Sequence, residues 1–203
     1  MQILITAGST WTRIDQVRIL TNRFSGKTGL YLANKLAEKG HQLTLIINPH
    51  SVGKIDNLKT FSFYYFDEFK NRLEMILKNN KFDAIIHMAA VSDYLPKVSR
   101  QGKIASGKKD LNISLVPAPK VIKQIRKLAK KAILIQFKLE VKKERIIEKA
   151  YLSMKKNGSD YVVANALEEL KSGYKAVLID RQKKIIDIAS KNDLVCAIDK
   201  ILA

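Results

Sequence analysis

The chain has a single cysteine, Cys196, among 203 residues. That excludes an intrachain disulfide and a zinc site built from several thiolates. Cys196 sits in the apolar run DLVCAI and reads as a core residue of a helix, in keeping with a reducing cytoplasm. Long apolar runs are also missing. None approaches the roughly 18 residues that would suggest a membrane span. The start, MQILITAGST, reads as a buried strand and a turn, not as a basic leader with a signal core. Histidine is scarce, and His41, His50 and His87 stand apart from Cys, Asp and Glu at ligand spacing. His87 lies in an apolar run and reads as a satisfied core histidine. Repeats and linkers are absent, so one domain is expected over 1–203.

Acidic residues are outnumbered 19 to 37, leaving a formal charge of +18. Nucleic acid is the first partner such a charge suggests. Its distribution says more. Residues 91–131 hold eleven Lys or Arg against two Asp, half of the excess in a fifth of the chain. A phosphate-rich small ligand would favour the same field. The chain also lacks an aromatic-studded strand pattern of the kind that stacks single-stranded bases.

QILIT, QLTLIIN at 42–48, TFSFYYF at 60–66, DAIIHMAA at 83–90, ILIQFKL at 133–139 and DYVVANA at 160–166 read as strands. Helices are expected between them. The first covers 26–39, with Ser25 as its cap and Gly40 after its end. The pattern predicts an α/β, Rossmann-like fold, a mostly parallel sheet with helices on both faces. GYKAVLID, RQKK and IIDIA read as a C-terminal β-hairpin, and Ser190 with Asp193 starts a last helix. Residues 94–110 show little periodicity, two glycines and strong basicity, and are expected to form a flap loop.

In open parallel sheets ligands sit at the carboxyl ends of the strands. Three familiar signatures fail there. Gly26-Lys27-Thr28 ends like a P-loop, but Thr21 stands where the earlier glycine is required. TAGSTWT has one glycine where a dinucleotide fingerprint needs three. A reductase Tyr–Lys pair starting at Tyr94 would need its lysine at Val98, and Pro96 opposes a helix. Three other segments carry polar groups that a bare core would not want. ITAGSTWTRIDQVRILTNRFSGKTG at 5–29 ends at a helix start whose backbone N–H groups, at Ser25–Lys27, would favour an anion. HMAAVSDY at 87–94 combines small Ala89 and Ala90 with Asp93. GKIASGKKD carries Lys103 on the flap, where a lysine can close over phosphate.

Taken in order, these segments resemble the phosphopantothenate–cysteine ligase family. Its TxGxT-type loop is Thr6 to Thr10, its I-D-x-V-R is Ile14 to Arg18, and its T-N-x-S-x-G-x-x-G is Thr21 to Gly29. Its A-A-V-x-D-Y is Ala89 to Tyr94, and its K-I-x-x flap is Lys103 to Ser106. Phe137 with Glu140, Lys156-Asn157 with Asp160, and Ala164-Asn165 match later pieces. Four positions depart from the pattern. Ser9 replaces a glycine, Lys120 an acid, Leu152 a base and Ala166 an aspartate.

The resemblance implies a stand-alone, nucleotide-dependent ligase that joins 4′-phosphopantothenate to L-cysteine through an acyl-nucleotide. CTP is favoured over ATP, with Mg²⁺ and no flavin; the residues that would hold the metal are unassigned. It implies Asn22 at the acyl group during amide formation and Lys103 on the triphosphate. Gly8, Thr10, Asp15, Arg18, Ser25, Gly26, Ala89, Asp93, Phe137 and Lys156 would line the substrate and nucleotide sites. A cytoplasmic homodimer is implied, with the flap reaching toward the partner's site and no nucleic-acid or membrane partner. A basic nucleic-acid-binding module and a nicotinamide-dependent reductase on a similar fold remain the alternatives.

Overall fold

The computed structural model of the protein describes residues 1–52, 55, 58–98, 101–107 and 109–203. Six strands run parallel: β1 (Gln2–Ala7), β4 (Gln42–Ile47), β5 (Lys59–Ser62), β6 (Ala84–His87), β9 (Ile133–Glu140) and β10 (Tyr161–Ala166). β11 (Ala176–Asp180) and β12 (Ile185–Ile188) add an antiparallel hairpin at one edge. The order across the sheet is β12-β11-β10-β9-β6-β1-β4-β5. The chain therefore reverses its direction of travel between β1 and β6, and that reversal opens a crevice at their carboxyl ends.

Strands buried on both faces read as near-continuous apolar runs, and β1 is such a strand. Ile3, Ile5 and Ala7 face one layer, formed by α1 (Lys27–Glu38) and α5 (Lys191–Leu202). Leu4 faces the other, where α2 (Phe66–Asn79) and α3 (Val121–Leu128) lie. α4 (Ile146–Asn157) continues that second layer over β10 through Ala150 and Met154. α5 begins where Ser190 Oγ accepts the Asp193 N–H at 3.1 Å, as its sequence predicts. None of the helices, among the described residues, is long and apolar enough to cross a membrane.

Several expectations change. Cys196 is exposed. α5 buries Leu194, Val195, Ile198 and Leu202, and two residues beyond Leu194 the helical turn of about 100° per residue carries Cys196 to the outer face. The third parallel strand ends at Ser62, because Phe66 already belongs to α2. The start of α1 is capped by Gly26 in the left-handed region, not by Ser25.

Two small antiparallel pairs were not anticipated. β2 (Trp11–Arg13) pairs with β3 (Ile19–Thr21), and β7 (Tyr94–Pro96) with β8 (Leu115–Pro117). The second pair brackets the expected flap, of which Ser99, Arg100 and Lys108 lie outside the described residues.

His87 closes β6 and is buried against Phe69, whose ring stacks at 6.3 Å. Thr6 Oγ1 accepts the Ala89 N–H at 3.3 Å and lies 2.8 Å from His87 Nδ1, so its hydroxyl hydrogen is available to that nitrogen. Burial pushes the imidazole down to about 4, and the ring is neutral at pH 7. A histidine whose folded value is depressed stabilises the fold fully above its unfolded value, near 6.5, and loses that contribution as pH falls toward 4. The shift corresponds to about 3 kcal/mol at most. The melting temperature is expected to fall between pH 6.5 and 4, before most carboxylates titrate. In His87→Gln that slope should flatten; an unchanged slope would show that another group controls acid stability.

Candidate functional site

The crevice is built from backbone first. β1 and β6 keep pairing beyond their ends: Ala90 N–H donates to Gly8 O at 2.9 Å and Thr10 N–H to Ala90 O at 3.3 Å. Gly8 has φ +80, and a Cβ there would meet Asn48 Cβ at 2.9 Å. Gly26 has φ +86, and a Cβ there would lie 2.7 Å from Gly8 N. Gly29 is closed to a side chain as well, because its Cβ would fall 2.5 Å from Ala7 Cβ. The start of α1 is thus pressed onto the end of β1. Its first-turn N–H groups have no helical carbonyl to bind, and the helix dipole adds partial positive charge there. Lys27 N–H reaches Ser25 Oγ only at 3.4 Å.

The polar residues of the first loop mostly serve this frame. Ser9 Oγ donates to Phe24 O at 2.7 Å, and Asn48 Nδ2 donates to Ser9 O at 2.7 Å. A serine therefore replaces the usual glycine with its hydroxyl satisfied. Thr10 is fully buried; its Oγ1 accepts the Ser92 N–H at 2.9 Å and lies 2.9 Å from Ser92 Oγ. Ser92 carried no signal in the sequence beyond its place in A-A-V-x-D-Y.

The β2–β3 hairpin rises from this loop. At its tip, Asp15 Oδ1 accepts the N–H groups of Val17 and Arg18 at 2.8 and 2.7 Å. Asp15 Oδ2 takes Ile104 N–H at 3.0 Å and Arg18 Nη1 at 2.5 Å. The Ile104 amide, and then those of Val17 and Arg18, hold this carboxyl well below the usual carboxylate range, against the opposing effect of burial. At the hairpin's other end Asn22 is exposed, and its Nδ2 donates to Ala90 O at 3.2 Å. That bond brings Asn22 to the β1–β6 reversal, beside Ala89.

Asp93 is exposed and forms an ion pair with Lys120 at 2.5 Å. Lys120 stands where the resemblance leads one to expect an acid, and this base pairs with Asp93 instead. Lys103 is exposed, between Gly102 and Ile104. Phe137 is half-buried on β9, in register with Val163, and packs on the α1–α5 side of the sheet. Lys156 is exposed in the last turn of α4, and among the described residues no hydrogen bond joins it to the crevice. Its neighbours are structural. Asn157 Nδ2 donates to Gln136 Oε1 at 3.0 Å, and Asp160 pairs with Arg126 at 2.6 Å and Arg181 at 2.9 Å.

The geometry thus gathers Gly8, Ser25, Gly26, Ala89 and Asn22 at one crevice, with Asp93 on the loop that leaves it. The hairpin tip, with Asp15 and Arg18, bonds the backbone on both sides of Lys103. Phe137 and Lys156 stand on neighbouring elements without a direct link. An aromatic group that the sequence reading passed over flanks the hairpin. The Trp11 ring lies 4.9 Å from His50 and 5.1 Å from Tyr64, and the Arg13 guanidinium sits 3.8 Å over Tyr65. Such an arrangement can bind an anion at a helix start, offer an amide donor beside it and bring lysines to the rim.

Comparison with known proteins agrees with this frame. The chain is 34% identical over 181 residues to the coenzyme A biosynthesis bifunctional protein CoaBC of Thermococcus kodakarensis, covering 88% of this chain and 44% of that protein. It spans about half the length of the curated relatives it matches. A crystal structure of the DNA/pantothenate metabolism flavoprotein from Streptococcus pneumoniae superposes with a TM-score of 0.88 at 23% identity, over 100% of this chain and 98% of that one. A Cab2 H337A mutant in complex with phosphopantothenate-cysteine superposes at 0.79 with 20% identity, over 98% and 86% of the two chains. The model of the DNA/pantothenate metabolism flavoprotein C-terminal domain matches residues 1–202, and the chain belongs to that family.

Proposed function

We propose that the protein is a nucleotide-dependent ligase that joins 4′-phosphopantothenate to L-cysteine, with CTP favoured over ATP. The observation that carries this reading is the position of Asn22. Its amide is tied to Ala90 at the reversal of the sheet, beside a helix start that favours anions. The relatives' role in coenzyme A biosynthesis and the phosphopantothenate-cysteine complex of a like-folded protein support it.

A carboxylate is a poor acyl donor. Its oxygen attacks the α-phosphorus of the triphosphate, the bond to the β-phosphate bridge breaks, and pyrophosphate leaves. The amine of cysteine then attacks the acyl carbon, the nucleotide leaves as the monophosphate, and the amine loses a proton. Catalysis on this chain rests on positioning and on charge stabilisation. Asn22 donates to negative charge developing at the acyl oxygen. The first turn of α1, with Ser25 and Gly26, receives phosphate. Lys103 neutralises the triphosphate, and a Mg²⁺ carried by the nucleotide would share in that charge neutralisation. Asp93, held by Lys120, faces the nucleotide, and Phe137 and Lys156 complete its surroundings.

Pyrophosphate release from CTP or ATP is expected to require 4′-phosphopantothenate. No release with either nucleotide would overturn the reading. In the same assay Asn22→Asp should slow amide formation about a hundredfold, the scale of losing one transition-state donor. Activation should change little, so acyl-nucleotide accumulates; equal loss of both steps would remove Asn22 from the second.

We also take the protein to work as a cytoplasmic homodimer. Val17 and Leu20 on the β2–β3 arm, and Tyr94, Leu115 and Val116 on the β7–β8 arm, are exposed apolar residues. Arms of this kind are suited to covering one another. Sedimentation equilibrium should give twice the 23.0 kDa chain mass; a monomer at micromolar concentration would refute the dimer.

A further inference from the structure

The residues on both sides of Lys103 are bonded to the hairpin tip. Ile104 N–H donates to Asp15 Oδ2 at 3.0 Å, Arg18 Nη1 donates to Ile104 O at 3.2 Å, and Gln16 N–H donates to Gly102 O at 3.3 Å. Ile104 is only 7% exposed, whereas Lys103 is open to solvent. A solvated basic loop would show neither the buried isoleucine nor a buried carboxylate aimed at its backbone. The hairpin that receives these bonds is the one that ends at Asn22, so Lys103 and Asn22 are attached to the two ends of one short β-ribbon.

We propose that Asp15 is a positioning residue that latches the flap backbone at Ile104 and thereby holds Lys103 at a set distance from Asn22. This rests on the ligase reading for what Lys103 meets, the triphosphate, but the latch itself does not. The two carboxylate oxygens have separate tasks. Oδ1 closes the turn on Val17 and Arg18, and Oδ2 receives the flap and the guanidinium. An asparagine can keep the first set through its carbonyl oxygen. Its NH₂ then faces the Ile104 N–H, donor against donor. Asp15→Asn therefore releases the flap while leaving the turn acceptor in place.

The experiment uses the full chain. In Asp15→Asn, hydrogen exchange at Ile104 and tryptic cleavage after Lys103 should rise about tenfold or more, with exchange in β1 unchanged. The KM for the nucleoside triphosphate should rise by a similar factor. In a Lys103→Ala background the same substitution should change KM less than about twofold, because a residue acting through Lys103 has nothing left to position. Unchanged exchange and cleavage would overturn the latch. Multiplicative effects of Asp15→Asn and Lys103→Ala would overturn its action through Lys103. Absence of pyrophosphate release in the unmodified protein would sink the ligase reading instead, and the exchange measurement would still decide the latch. Should Asp15→Asn not fold, exchange in the unmodified chain decides: Ile104 N–H should exchange at least about tenfold slower than an open loop amide, and exchange at the open-loop rate would overturn the latch.

Discussion

At Gly26 and Gly8 two backbone segments touch where no side chain fits on either. This contact sets the start of α1 against the end of β1, next to the reversal between β1 and β6. The rest of the site follows from it. The first loop is drawn into a short extension of the β1–β6 pairing, so Ser9 and Thr10 turn inward and Ser92 is held. The hairpin then leaves the loop in one direction and returns Asn22 to Ala90. Had the helix started a residue further away, its free amides and the asparagine would not share a crevice.

Charge is used in two distinct ways around this frame. Buried or half-buried charges are paired closely: Asp15 with Arg18, Asp160 with Arg126 and Arg181. The exposed surplus is lysine, and much of it lies along 91–131. Exposed pairs such as Lys120 with Asp93 contribute little stability on their own. Their effect lies in which charge is left to face a ligand, and here a base shields the aspartate on the loop after β6. The departure of Lys120 from the family pattern thus has a concrete structural consequence.

Elements with strong period or strong caps were legible from residues alone. The six parallel strands, the third of them shorter than its apolar run, the terminal hairpin and α5 with its Ser190 cap follow the patterns. The misses share a cause. Three-residue strands such as β2, β3, β7 and β8 are too short to show a period, and they exist because two segments meet in space. Cys196 departs from the core place its apolar run suggests because such a run shows composition and not which side of the helix each residue takes.

The sequence by itself determined the α/β architecture, the glycines that backbone contact demands, and the order of motifs that marks the family. Those depend on local propensity and on residue identity, which are readable one segment at a time. The tertiary structure alone decided what the motif residues touch. Asp15 and Arg18 stand three residues apart in a motif that resembles a ligand site, yet besides pairing with each other both bond Ile104, 89 residues from Asp15. Lys120 meets Asp93 across 27 residues. A side chain's partner is set by which backbones the sheet brings together, and that information lies in no single stretch of sequence.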